Sequence, residues 1–150
     1  MRKHIVLVVA LVVLAAPAAA AAKDCRDVAG GFSAGPPAPG TCTSFFCTAG
    51  VLEGDLKGSY FFTATGVTPT GGLTGASTIT LQSGMQLFGS DVSELGAPNA
   101  EGLIPFTTTV NIVGGTGKFD DASGQIVATG LLDPLAGTTI GEYTGTVCKK

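Results

Sequence analysis

Glycine and proline punctuate this chain so densely beyond residue 22 that no long helix can form there. All 23 glycines of the 150-residue sequence lie in that region. No window of it places apolar residues at the i, i+3, i+4, i+7 spacing of an amphipathic helix. What lies between the interruptions is short and rich in Thr, Val, Ile and Phe. Seven such runs are predicted as strands: Thr41 to Leu52, Leu56 to Thr65, Leu73 to Leu81, Met85 to Val92, Leu103 to Val113, Gln125 to Leu132 and Thr138 to Val147. The third alternates well at its end, with Ile79 and Leu81 on one face and Thr78 and Thr80 on the other. Turn signals such as Glu53-Gly54-Asp55, Ser83-Gly84 and Asp133-Pro134 separate the runs. Many short strands at regular spacing fit an all-β barrel or sandwich. Several runs are apolar or threonine-rich on both faces, which suits a barrel.

Two segments precede these runs. Residues 1–22 carry Arg2 and Lys3, an uncharged apolar stretch from Ile5 to Ala16, Pro17 and an alanine tract. That is the pattern of a secretory signal peptide, with Ala-x-Ala cleavage choices ending at Ala20 or Ala22. Its apolar stretch is well short of the roughly 20 residues that cross a bilayer. Residues 23–40 are expected to form an irregular N-terminal arm, because Gly30-Gly31 and the Gly35-to-Gly40 stretch with three prolines interrupt it. Phe32 is its one large apolar residue and natural anchor. Residues 41–150 are expected to form the barrel domain.

Cleavage would leave six bases against all eleven acids, a net charge of −5, and would remove His4, the only histidine. Such a chain has no electrostatic footprint for nucleic acid or for anionic membrane. The four cysteines, Cys25, Cys42, Cys47 and Cys148, all lie in the exported part. An even number in a small secreted chain argues for two disulfides in one of three connectivities. The expected location is therefore outside the cytoplasm, extracellular or periplasmic.

The missing histidine removes Ser–His and Cys–His catalysis in their usual form and takes away zinc's commonest ligand. The close carboxylates, Glu53 with Asp55, Asp91 with Glu94 and Asp120 with Asp121, read as turn residues. A glycosidase would need two carboxylates across a sugar cleft, usually with aromatic platforms. The chain has no Trp and only Tyr60 and Tyr143 as tyrosines. Gly114 to Lys118 misses the phosphate-loop pattern, since Ile112 stands at the first glycine position and Phe119 replaces Ser or Thr. No catalytic residue, cofactor or metal ligand is therefore expected. Gly114, Gly115, Gly117 and Gly124 instead read as a structural reversal, with Phe119 plugging one end of the barrel.

That reversal carries a resemblance. The run Ile112-Val113-Gly114-Gly115-Thr116-Gly117-Lys118-Phe119-Asp120-Asp121-Ala122-Ser123-Gly124 is similar to the G-G-T-G-[KR]-F-x-x-A-x-G segment of the allene oxide cyclase and dirigent barrel superfamily. The tail Gly141 to Val147 resembles the closing strand of its small secreted bacterial members. The resemblance implies a small closed antiparallel barrel of about eight strands, so the eighth is either missed or supplied by the arm. It also implies that the first and last strands are neighbours. On that topology the implied bridges are Cys47–Cys148 across the closure and Cys25–Cys42 on the arm.

An eight-stranded barrel can hold one small molecule, with Tyr60, Phe62, Phe88, Phe106 and Tyr143 as the candidate lining. The leading expectation is a secreted, non-catalytic binding or structural module whose partner is a small apolar ligand. A cyclase- or dirigent-like enzyme or guide, steering a reactive apolar substrate, is the alternative that the resemblance implies. An extracellular interaction protein that forms homo-oligomers is the third.

Overall fold

The structure is a computed structural model that describes residues 23–149; the expected signal peptide lies outside them. Eight antiparallel strands follow in chain order: β1 (Asp24–Gly35), β2 (Cys47–Leu52), β3 (Gly58–Val67), β4 (Leu73–Leu81), β5 (Gln86–Leu95), β6 (Ile104–Gly115), β7 (Ser123–Asp133) and β8 (Thr138–Lys149). Each pairs with the next, and β8 returns to β1 to close the barrel. The closing ladder runs from Asp24 opposite Lys149 to Ala34 opposite Thr139.

The expected irregular arm is mostly a strand. Asp24–Gly35 is β1, and the irregular stretch begins only at Pro36 and continues to Phe46. Of the Gly30-Gly31 pair that looks like a breaker, Gly30 is a site of close approach, while Gly31 has only ordinary contact. A Cβ on Gly30 would collide with the Glu53 carbonyl oxygen and the Tyr143 hydroxyl. The predicted Thr41 start of the next strand is correspondingly early. Residues 41–46 are irregular, although Ala64 N–H donates to the Phe46 carbonyl at 3.0 Å and holds that stretch against β3.

This reassignment changes both disulfides. The bridges are Cys25–Cys148 and Cys42–Cys47, in place of Cys47–Cys148 and Cys25–Cys42. The first and last strands do meet, but the first strand is the one carrying Cys25, which lies directly opposite Cys148 in the ladder. Cys42 and Cys47 then tie off a short loop between β1 and β2.

Alternate residues of every strand point inward, as a closed sheet demands. On β5 the buried set is Leu87, Gly89, Asp91 and Ser93; on β6 it includes Val110 and Ile112. One end of the barrel is filled. Val28, Leu87, Ile112, Ala122 and Val147 pack there, with Phe119 against them from the Gly117–Phe119 3-10 turn. Gly114, Gly117 and Gly124 adopt φ of 148°, 59° and 135°, which side-chain-bearing residues avoid. Gly115 has no such φ, but a Cβ there would strike the Gln86 carbonyl oxygen.

The loop closed by Cys25–Cys148 is far longer than that closed by Cys42–Cys47, with sequence separations of 123 and 5. On the loop-entropy scale, C25A/C148A should cost up to about 5 kcal/mol of stability and C42A/C47A about 2 kcal/mol. Urea unfolding of the two double variants measures both, and equal losses would contradict the assignment of the long bridge as the main staple.

Candidate functional site

The filled end accounts for only part of the lumen. Above it lies a cavity of about 410 Å³. It is lined by aromatic and aliphatic side chains from all eight strands and from the β1–β2 loop. It reaches the surface at the end opposite Cys25–Cys148, where Phe45, 66 % exposed, and Leu95, 38 % exposed, line the mouth. The Cys42–Cys47 loop places Phe45 and Phe46 at that mouth.

Four of the five lining residues expected from sequence, Tyr60, Phe62, Phe106 and Tyr143, do line this cavity. Phe88 does not. It has the opposite parity to Leu87 and Asp91 on β5, so alternation turns it to the outer face. Phe32, read only as an anchor, is central: its ring lies 6.2 Å from that of Tyr60, nearly perpendicular, and 6.1 Å from that of Phe106. Phe46 packs on Phe62 at 6.3 Å.

Tyr143 has a fixed structural duty at the cavity floor. Its hydroxyl donates to the Glu53 carbonyl at 2.6 Å and accepts from Leu56 N–H at 2.9 Å, which ties the Gly54–Leu56 3-10 turn to β8. Burial raises its phenol pKa, opposed by the Leu56 bond, with nearby Asp55 adding to the rise. Tyr60 is also raised by burial, with the Thr139 and Thr48 side chains opposing.

Asp91, expected in a turn, is also placed differently from the sequence expectation. It does not sit in a turn but in the middle of β5, inward-facing and 3 % exposed. Its Oδ1 accepts from the Ser77 hydroxyl at 3.0 Å, and a Cβ on Gly89 would lie 2.9 Å from that same oxygen. Beside it, the Ser93 and Thr108 hydroxyls bond to each other at 2.7 Å. These groups form a polar strip on β4, β5 and β6 within an otherwise apolar lining. Strict alternation from Leu87 through Asp91 to Ser93 was the available signal.

The other carboxylates point elsewhere. Glu94 has outward parity; Asp55 accepts the Ala29 N–H at 2.8 Å; Asp120 accepts the N–H of Asp121. Asp91 is the one carboxylate lining the cavity, so the paired arrangement of a glycosidase is not formed there.

Fold and site together define a class: a small disulfide-closed β-barrel with an apolar lumen open at one end. No protein-family model matches the chain, and no curated protein matches it. Among solved structures it is similar to a pterocarpan synthase dirigent protein at 14% identity, covering 85% of this chain and 86% of that one, with a TM-score of 0.35. The barrel rests on its own strand pairing.

Burial pushes the Asp91 carboxyl up from 3.8 to about 6, against the opposing Ser77 hydrogen bond. Below the lower value both folded and unfolded chains hold the proton. As pH rises between the two, only the folded chain keeps it, so stability falls, and the full cost stands above about pH 6. Asp91→Asn should match the wild type in stability below about pH 4 and exceed it by ~2–3 kcal/mol above pH ~7. Urea unfolding of both proteins across that range tests this. A constant difference between them would mean that the carboxyl is not desolvated.

Proposed function

We propose that this protein is an exported binding barrel that holds one small, mainly apolar molecule in its lumen. The observation that carries the reading is the cavity of about 410 Å³, within the size range of small-molecule sites and lined mostly by hydrophobic side chains. Export is supported by the signal-peptide pattern of residues 1–22 and by two disulfides with no free cysteine among the described residues. Among those residues no helix is long and apolar enough to cross a membrane.

One feature favours a second reading. The Asp91 carboxyl inside an apolar lumen is the kind of group that a cyclase or guide uses to steer a reactive apolar substrate. Mass spectrometry of the released molecule separates the two readings, since a carrier returns its ligand unchanged. An oligomer would use the outer face instead, where exposed Val51, Leu131 and Ile140 border one shallow depression.

The neutral fluorophore N-phenyl-1-naphthylamine tests the lumen directly. Saturable binding at one site per chain is expected. Ala128→Phe, which adds bulk to the β7 wall of the cavity, should weaken it by roughly tenfold or more. No saturable signal from the correctly folded protein would overturn the proposal.

A further inference from the structure

The lumen and the open end share one sign of charge. Among the described residues, Lys23, Arg26, Lys57, Lys118 and Lys149 are the bases, and all five sit at the filled end of the barrel. Lys23 and Arg26 flank the start of β1, and Lys149 ends β8 beside them, bonded to Asp24 at 3.3 Å. Lys57 precedes β3, with its carbonyl bonded to Gln82 in the β4–β5 turn, and Lys118 lies in the turn that carries Phe119. Around the open end the charged residues are Glu94 near the end of β5, Glu101 in the following loop and Asp133 at the end of β7. Glu142 lies further down the outer face of β8. No Lys, Arg or His lines the cavity, whose single charged group is Asp91.

A carboxylate held in an apolar cavity beside one hydroxyl partner lacks a compensating charge. A neutral ligand would leave it so. An ammonium group would supply the missing charge, and the acids at the mouth would favour its approach. Resting on the ligand-holding reading above, we infer that the lumen selects a cationic amphiphile: an apolar body lodged among Phe32, Tyr60 and Phe106, with an amine placed against Asp91.

The groups around Asp91 make the preference pH-dependent in one direction. From β4 it meets Ser77 and from β5 the Gly89 backbone, while Val110 on β6 is opposite it in the ladder. The other titratable side chains lining the lumen are Tyr60 and Tyr143, both with raised pKa values, which stay neutral throughout. The carboxyl of Asp91, held up at about 6, is therefore what switches. An alkylammonium keeps its proton across this range. The preference is present when Asp91 is ionised and fades as pH falls through its titration.

The test compares n-decylamine, n-decanol and n-decanoate by isothermal titration calorimetry with the full exported protein. At about pH 7.5 decylamine should bind roughly tenfold or more tighter than decanol, and decanoate weakest of the three. The amine-to-alcohol ratio should collapse toward one at about pH 4.5 and in D91N at either pH. The wild-type pH comparison stands even where D91N fails to fold. Equal binding of amine and alcohol, or a preference that survives in D91N, would overturn the inference while leaving the apolar lumen intact. Failure of all three probes would overturn the ligand-holding reading and this inference with it.

Discussion

The pairing of β1 with β8 is the contact on which the rest of this molecule depends. Eleven residues of β1, Asp24 through Ala34, are matched in register to β8. Without that ladder the sheet has two open edges, and its backbone donors and acceptors are left to water or to another chain. With it, one face of every strand becomes an interior. The Cys25–Cys148 bridge stands at one end of the same ladder and restrains the two termini of the barrel together. Tyr143 adds a second tie, linking β8 to the turn after β2 through its hydroxyl.

Closure creates the interior, but side-chain size decides how it is used. Toward the filled end the inward positions carry Val28, Leu87, Ile112 and Val147, which meet across the lumen. Toward the open end they include Thr48, Ser77, Ser93, Thr108 and Ala128. Small side chains facing one another cannot fill a barrel of this strand number, so a cavity remains. The aromatic rings of Phe32, Tyr60 and Phe106 narrow it without closing it. Asp91 sits within this region because its parity on β5 admits no other direction.

Much of this was legible residue by residue. The reversal from Gly114 to Gly124 announced both its hairpin and its plug, since positive φ at glycine and an aromatic between them leave few alternatives. Leu73–Leu81 was found to the residue because its end, Thr78 to Leu81, alternates and its flanks carry turn residues. β1 was lost because Gly30 and Gly31 resemble breakers when seen alone. Only beside Glu53 and Tyr143 does Gly30 become the residue that permits close approach. Both disulfide assignments followed from that one omission. Phe88 was misplaced because aromatic bulk says nothing about direction until the register is known.

The sequence by itself determined the chemistry available: strands and no long helix, paired cysteines, no histidine beyond residue 4, and an excess of acids. These follow from local propensity and composition, which do not depend on which segments meet. Only the tertiary structure decided that the arm is the first strand, that Cys25 faces Cys148, and that Asp91 lies inside while Glu94 lies outside. It also decided that the bases of the described residues gather at the filled end, while the charged residues around the mouth, Glu94, Glu101 and Asp133, are all acids. Each of these turns on strand parity and on contacts across the closure. A ladder between residues more than a hundred positions apart fixes both, and no local window of sequence contains it.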